Sequence, residues 1–395
     1  MPAAVIVDAV RSPMGRGKQS GALAGTHPVD LLAQVLSALV RRQGIDPGLV
    51  DDVLVGCVGQ AGEQSATPGR QAVLAAGFPE HVPSVTIERK CGSGQQAIDF
   101  AVQGVMAGAY DMVIAAGVES MSRVPMGSAR MDKDPFGAGV KARYPLLVPQ
   151  GVSAELVAHK WSLSRAQLDD YAARSHALAA EAAQNGDFAG EIVPIALPDA
   201  AGVFDNDETI RPGTTGERLA ALAPAFAGSD HARHFPHLDF KITAGNSSQL
   251  TDGASALLIM SEERARELGL RPRARLLASA VCGDDPLLML TGPIAATGKV
   301  LARAGLSIGN IDAAEVNEAF ASVPLAWRAE HPIAENRLNP RGGAIALGHP
   351  LGASGCRLMT TMINHLEQTG GRLGLQTMCE AGGMANATVV EILAG

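Results

Sequence analysis

The apolar stretch Ala3-Ala4-Val5-Ile6-Val7-Asp8-Ala9-Val10 returns as Ala274-Arg275-Leu276-Leu277-Ala278-Ser279-Ala280-Val281, an offset of 271 residues, and the segments downstream of each copy match as well. In the first copy, helical periodicity at Leu31, Leu32, Val35, Leu36 and Leu39 leads through Ile45-Asp46-Pro47 into a strand at Val53-Leu54-Val55. In the second, Val300, Leu301 and Ala304 lead through Leu306-Ser307-Ile308 into the strand-like Ala313-Ala314-Glu315-Val316. Cys91-Gly92-Ser93-Gly94 then opens a helix with apolar Ile98, Ala101, Val102, Val105 and Met106, followed by a strand at Met112 to Ala116. Its counterpart, Gly352-Ala353-Ser354-Gly355 at an offset of 261, opens a helix with Leu358, Met359, Met362, Ile363 and Leu366 before a strand at Leu373 to Met378. A repeated order of strand, helix, strand, helix and strand restricts the chain to two duplicated α/β halves.

The first half covers residues 1–120 and is completed by about 240–270; the second covers 271–395. Between them, 121–239 is rich in Pro, Gly, His and charge, and is read as an inserted loop or lid domain. Helices are expected there over Val152 to Trp161 and, behind a Ser164 cap, over Arg165 to Asn185. The run Thr243 to Ser248 and the apolar Ala254 to Ile259 return the chain to the first half's sheet. Two or three domains suit 395 residues, and 4% aromatic content with 45 glycines favours tightly packed layers over an aromatic-lined binding module.

A formal charge of −8 and a pI near 5.7 argue against nucleic acid as the main partner. No apolar stretch approaches the roughly 20 residues that a membrane span needs. The amino terminus, Met1 to Asp8, reads as a buried strand rather than a signal peptide, and Ile392-Leu393-Ala394-Gly395 carries no peroxisomal or retention tripeptide, so a cytoplasmic location is expected. Cysteines 57, 91, 282, 356 and 379 are odd in number and widely spaced, which suggests neither a disulfide framework nor a zinc site and points to a reducing compartment.

The chemistry concentrates in three places. The run Asn339-Pro340-Arg341-Gly342-Gly343-Ala344-Ile345-Ala346-Leu347-Gly348-His349-Pro350-Leu351-Gly352-Ala353-Ser354-Gly355 sets one histidine in a frame of glycines and small residues. It reads as a shaped loop, the kind of segment that carries sites. A lone histidine is more often a surface or core residue, and this frame reverses that expectation. Cys91 lies between an expected strand, Ser84 to Ile87, and a helix; the positive end of that helix would favour its thiolate. Cys379 ends a strand and precedes Gly382-Gly383, at the carboxyl edge where α/β proteins place ligands. A cysteine is ordinarily a small buried hydrophobe, and Cys57, Cys282 and Cys356 are read as that. Two thiols and an imidazole suggest acyl transfer. Asn317, in Asn317-Glu318-Ala319-Phe320, reads equally well as a helix cap or a site residue from spacing alone.

With these motifs the chain resembles the thiolase family over essentially its whole length. The family's nucleophile segment resembles Arg89-Lys90-Cys91-Gly92-Ser93-Gly94-Gln95-Gln96-Ala97, its asparagine motif Asn317 to Phe320, its histidine motif the run ending at Gly355, and its acid/base cysteine motif Cys379-Glu380-Ala381-Gly382-Gly383. The resemblance implies a five-layered α-β-α-β-α fold of two duplicated halves with an inserted loop domain. It also implies acyl-CoA and coenzyme A as substrates, with no bound cofactor and no metal, and a homodimer or homotetramer. Cys91 would be the nucleophile, His349 its base, Cys379 the second acid/base, and Asn317 the holder of a water that with His349 forms one oxyanion site; the backbone amides of Cys91 and Ala381 would form the other. Ser248 matches the family's pantetheine-contact serine, Gln150 lies in a pocket-lining place, and Arg211 and Arg218 are candidate contacts to coenzyme A phosphates, as are His231, Arg233 and His234.

Two departures from the family pattern stand out. Glu88 occupies a place where the family often has asparagine; it would alter loop hydrogen bonding or raise the nucleophile by like-charge repulsion. Ala381 replaces a common glycine and keeps its amide donor provided the backbone there needs no positive φ. Thiolytic cleavage of 3-ketoacyl-CoA is the leading expectation, with biosynthetic acetoacetyl-CoA formation as an alternative. A ketoacyl synthase is disfavoured by Cys379, and a non-catalytic acyl-CoA or lipid-binding protein has Glu88 as its best argument.

Overall fold

The computed structural model describes residues 3–393; Met1 and Pro2 of the amino terminus, and Ala394 and Gly395 of the carboxyl-terminal tetrapeptide, lie outside the described residues. The first half contributes β1 (Ala4–Arg11), α1 (Pro28–Gln43), β2 (Asp52–Gly56), β3 (Ser84–Ile87), α2 (Ser93–Met106) and β4 (Met112–Ser120). The insertion comes next, with α3 (Gln150–Lys160) and α4 (Arg165–Asn185), the latter opened by a Ser164–Gln167 capping box and closed by left-handed Gly186. The chain then rejoins the first sheet at β5 (Thr251–Ser261). The second half adds β6 (Ala274–Gly283), α5 (Gly292–Ala304), β7 (Ala313–Val316), α6 (Leu351–Thr369), β8 (Leu373–Glu380) and β9 (Met384–Ile392).

The strands run β3-β2-β4-β5-β1 and then β6-β9-β8-β7, the two halves meeting through the single pair Ile6 and Ala274. Each half has the same pairing. β1 is antiparallel to β5 and β5 to β4, while β4, β2 and β3 are parallel. β6 is antiparallel to β9 and β9 to β8, β8 and β7 are parallel, and a parallel bridge from Ala314 to Leu338 stands where β3 stands in the first half. The duplication read from the apolar pattern is therefore a duplication of sheet topology.

Helices α2 and α6, the pair related by the 261-residue offset, pack against each other and against β4 and β5, and α6 also reaches β7 and β8 of the second half. Helix α6 shows why that pair is central: Gly352 to Asn364 is buried without interruption, as suits a helix covered on every side. The two helix starts approach to backbone contact. A Cβ at Gly355 would stand 2.0 Å from Gln95 N, and one at Gly117 or Gly94 would stand 2.2 or 2.7 Å from Gly352 O. The small residues after Cys91 and His349 are thus packing requirements as well as site features, and they set both chemical loops at one crossing.

Candidate active site

Cys91 lies just before the N-cap of α2, Gly92, and is 5% exposed. Its loop is tied by Ser93, whose Oγ donates to Lys90 O at 2.6 Å and accepts from Arg89 N at 2.8 Å. The position of Cys91 at a helix start predicts a favoured thiolate. The structure corrects this: burial, then the neighbouring Cys379 and Glu380, push the Cys91 thiol well above its ordinary range. The expected like-charge effect comes from a different carboxyl, Glu380, once that group is ionised. Glu88 is exposed, and its Oε1 accepts from Lys90 N at 2.8 Å and meets Lys90 Nζ at 3.1 Å, so this departure shapes the loop.

His349 is 4% exposed. Its backbone N–H donates to Thr251 Oγ1 at 2.9 Å and reaches Gln249 O at 3.2 Å. On the ring, Nδ1 lies 2.6 Å from Ser354 Oγ, and Ser354 Oγ donates its only proton to Pro350 O at 2.8 Å. The serine therefore accepts from Nδ1–H, which leaves Nε2 as the bare nitrogen. Burial, reinforced by the positive charge of Arg357, pushes His349 down to about 3, so the ring is neutral and Nε2 is available as a base.

Asn317 joins the second cysteine to this ring. Its Nδ2 lies 3.5 Å from His349 Nε2, the edge of hydrogen-bond range, and its side chain is near enough to Cys379 to favour that thiol's ionisation. Burial pushes the Cys379 thiol up to about 12 against that influence. Asn317 Oδ1, also buried, has no partner within the protein. The next helix starts at Ser322 with Ala321 as its N-cap, so Asn317 is not a cap. Glu318 instead pins the surroundings: it accepts from Tyr171 Oη at 2.9 Å, Ser175 Oγ at 2.7 Å, Asn339 Nδ2 at 2.9 Å and Ile345 N at 3.1 Å. The start of the histidine run is thereby held onto the asparagine loop. In the turn after Cys379 the left-handed positions fall on Gly382 (φ 95) and Gly383 (φ 74), so Ala381 is spared the strain of a positive φ.

The remaining candidates divide. Ser248 docks on the asparagine loop, its N–H donating to Ala319 O at 2.9 Å. Arg211 Nη2 donates to Gln249 Oε1 at 3.0 Å, one residue from that serine and on the segment that holds His349. Gln150 opens α3 beside Gly151, against which the Phe226 ring packs, and Phe226 stands edge-on to Phe320 at 6.4 Å. Arg218 is an exposed side chain bonded to Gly213 O, next to Leu219, which packs against Gly245, and Arg233 pairs with Asp230 on the surface. Among the described residues, no three or more His, Cys, Asp and Glu side chains are grouped to hold a metal ion, and no helix is long and apolar enough to cross a membrane.

Sequence reasoning overlooked two residues here. Ser354, which orients His349, is the counterpart of Ser93 at the same 261-residue offset, a signal already present in the repeat. Glu119, at the end of β4, accepts from Val58 N, Gly59 N, Gln64 Nε2 and Gly352 N at 2.8–3.0 Å, and so anchors the start of α6. No motif marks it.

Family models for the thiolase N-terminal domain and the thiolase C-terminal domain match residues 4–263 and 270–392. The chain belongs to the thiolase family. It is 45% identical over 402 residues to a steroid 3-ketoacyl-CoA thiolase of Mycobacterium tuberculosis, covering 100% of this chain and 95% of the relative. A 3-ketoacyl-CoA thiolase of Aeromonas salmonicida is 44% identical over 98% of each chain. The acetyl-CoA acetyltransferase of Bacillus anthracis superposes with a TM-score of 0.88 at 37% identity, covering 100% of this thiolase and 99% of that chain.

Proposed function

We propose that this thiolase is an acyltransferase that cleaves 3-ketoacyl-CoA with coenzyme A, through an acyl group carried on Cys91. Full-length similarity to 3-ketoacyl-CoA thiolases supports the reaction class. The observation that carries the residue roles is the convergence of four side chains: Asn317 lies 3.5 Å from His349 and is near enough to Cys379 to lower its thiol, while Cys379 is close enough to Cys91 to oppose its ionisation.

His349 Nε2 takes the Cys91 proton as Sγ adds to the 3-keto carbon, so the high cost of a free thiolate in this buried place is met only in the presence of substrate. The C2–C3 bond then breaks, leaving the acyl group on Sγ and the electron pair on the acetyl-CoA enolate. Cys379 gives that enolate its proton, and the resulting Cys379 thiolate takes the proton of incoming coenzyme A. The coenzyme A sulfur attacks the acyl carbon and releases Cys91 Sγ, which recovers a proton from His349. Asn317 Oδ1, lacking a protein partner, suits a water that with His349 faces the enolate oxygen; the amides of Cys91 and Ala381 face the adduct oxygen. Ser248 and Arg211, beside the asparagine loop and His349, fit the pantetheine and phosphate ends of coenzyme A. Run backwards, the same steps perform Claisen condensation.

Incubation with a 3-ketoacyl-CoA and then mass spectrometry should place an acyl adduct on Cys91, and Cys91→Ala should abolish both adduct and cleavage. Cleavage surviving Cys91→Ala would sink the mechanism. A coenzyme A-dependent panel of short, long and polycyclic 3-ketoacyl-CoA substrates assigns the acyl class and the direction. We also propose a cytoplasmic homodimer or homotetramer, as the thiolase resemblance implies; a stable monomer of 40.7 kDa on size exclusion would contradict the assembly.

A further inference from the structure

Glu380 is the residue after Cys379 and closes β8. It is fully buried, and neither carboxyl oxygen has a hydrogen-bond partner within the protein. Its carboxyl lies against the backbone of the nucleophile loop: a Cβ at Gly92 would stand 2.0 Å from Glu380 Oε1 and 2.9 Å from Asn386 Nδ2. Gly92 has a φ of −83, which any residue adopts, so position 92 is glycine for space, and Glu380 occupies that space. Asn386 Nδ2 donates to Gly92 O at 3.1 Å, while its own buried Oδ1 is unpartnered. The register of β8 and β9 pairs Glu380 with Met384 and Met378 with Asn386, which sets Glu380 and Asn386 on one face as diagonal neighbours. A neutral acid at Glu380 has an O–H to offer such an acceptor. A carboxylate has none and would sit in a layer already rich in unsatisfied oxygens, including Gln376 Oε1 and Asp99 Oδ2.

We infer that Glu380 is a positioning residue for the Cys91 thiol: as the neutral acid it supports the nucleophile loop, and on losing its proton it places a charge that opposes Cys91 thiolate formation. The inference rests on Cys91 being the nucleophile. The titratable and charged groups around Glu380 are Glu88, Arg89 and Cys91 of the nucleophile loop, Asp99 of α2, Cys379 of β8 and Cys282 of β6. Burial pushes Glu380 up to about 8; Arg89 opposes the rise, and Asp99 and Glu88 add to it. In return the Glu380 charge pushes Cys91, Cys379 and Cys282 upward. Below about pH 8 the acid is therefore neutral and Cys91 meets no charge from it, whereas above that pH the carboxylate forms and the thiolate becomes harder to reach.

The test is the pH dependence of Cys91 alkylation by iodoacetamide, read on the Cys91 peptide by mass spectrometry. Glu380→Gln keeps the shape and removes the titration. The variant should react about tenfold faster than wild type near pH 9 and within about twofold near pH 6.5, the effect of roughly one pKa unit on the thiol. A ratio that is the same at both pH values overturns the inference. Asp99→Asn is a second variant that leaves Glu380 and the loop in place. Removing a charge that raises Glu380 should move the flattening of the rate profile to lower pH, and an unmoved profile again overturns it. Because alkylation reads the thiol and not turnover, cleavage surviving Cys91→Ala overturns the nucleophile assignment separately from Glu380.

Discussion

Replacing Ser354 by alanine tests whether the ring orientation of His349 is what makes it a base. Ser354 Oγ spends its one proton on Pro350 O and accepts from His349 Nδ1 at 2.6 Å, so this serine is the side chain that selects the tautomer with a free Nε2. Alanine leaves a buried Nδ1–H without an acceptor, a penalty of about 1–3 kcal/mol. The ring can relieve it by moving its proton to Nε2 or by rotating, and either removes the lone pair aimed at the substrate side. If the penalty falls entirely on the reactive tautomer, kcat drops roughly 5- to 150-fold. A catalytic histidine held in the wrong tautomer can cost about 10⁴-fold, which sets the upper end. The Michaelis constant for coenzyme A should stay within about twofold, since Ser354 is fully buried behind the ring. Steady-state thiolysis measured at several coenzyme A concentrations separates the two constants, and a thermal melt checks that α6 is intact. If kcat stays within twofold of wild type while the fold is intact, Ser354 does not set the tautomer and the assignment of Nε2 as base loses its support.

The same geometry makes three further outcomes testable. Asn317→Ala should lower kcat by about 10²- to 10³-fold with little change in the acyl-CoA Michaelis constant, because it removes the group that reaches His349, lowers the Cys379 thiol and would hold an oxyanion water; steady-state kinetics decides it. Gly355→Ala puts a Cβ 2.0 Å from Gln95 N, a backbone clash that a rotamer change cannot relieve, so a loss of about 3 kcal/mol or more is expected as a fall in urea midpoint. His349, at about 3 in the fold against 6.5 in the unfolded chain, binds its proton only on unfolding between those values, so stability is complete above pH 6.5 and declines as pH falls towards 3. Its cost to stability at pH 5 is about 2 kcal/mol, and His349→Gln should flatten the fall in unfolding free energy from pH 6.5 to 5, read from urea titrations, by about 1.6 kcal/mol.

The repeat made the fold legible because topology is carried by apolar pattern. β1 and β6, the two central helices and the closing strands of each half all lie where the periodicities put them, and α4 runs over Arg165–Asn185 as its Ser164 and Asn-Gly signals indicate. Charge was less legible, since electrostatic effects depend on burial and on partners distant in sequence. Glu88 and Glu380 both flank cysteine motifs, and only coordinates show that Glu88 turns outward to Lys90 while Glu380 lies beneath Gly92. The helix end does not make Cys91 a thiolate for the same reason, as complete burial outweighs a partial charge. The repeat also carried chemical information that motif reading passed over. Ser93 and Ser354 are equivalent in the two halves, and each holds the loop before its helix, one presenting the thiol and the other the imidazole. A serine that fixes a loop at a helix start serves both roles. At the 261-residue offset Ser93 matches Ser354 and Gly94 matches Gly355, whereas Cys91 falls opposite Gly352 and His349 opposite Glu88, so the residues that fix the loop repeat while the chemical ones do not.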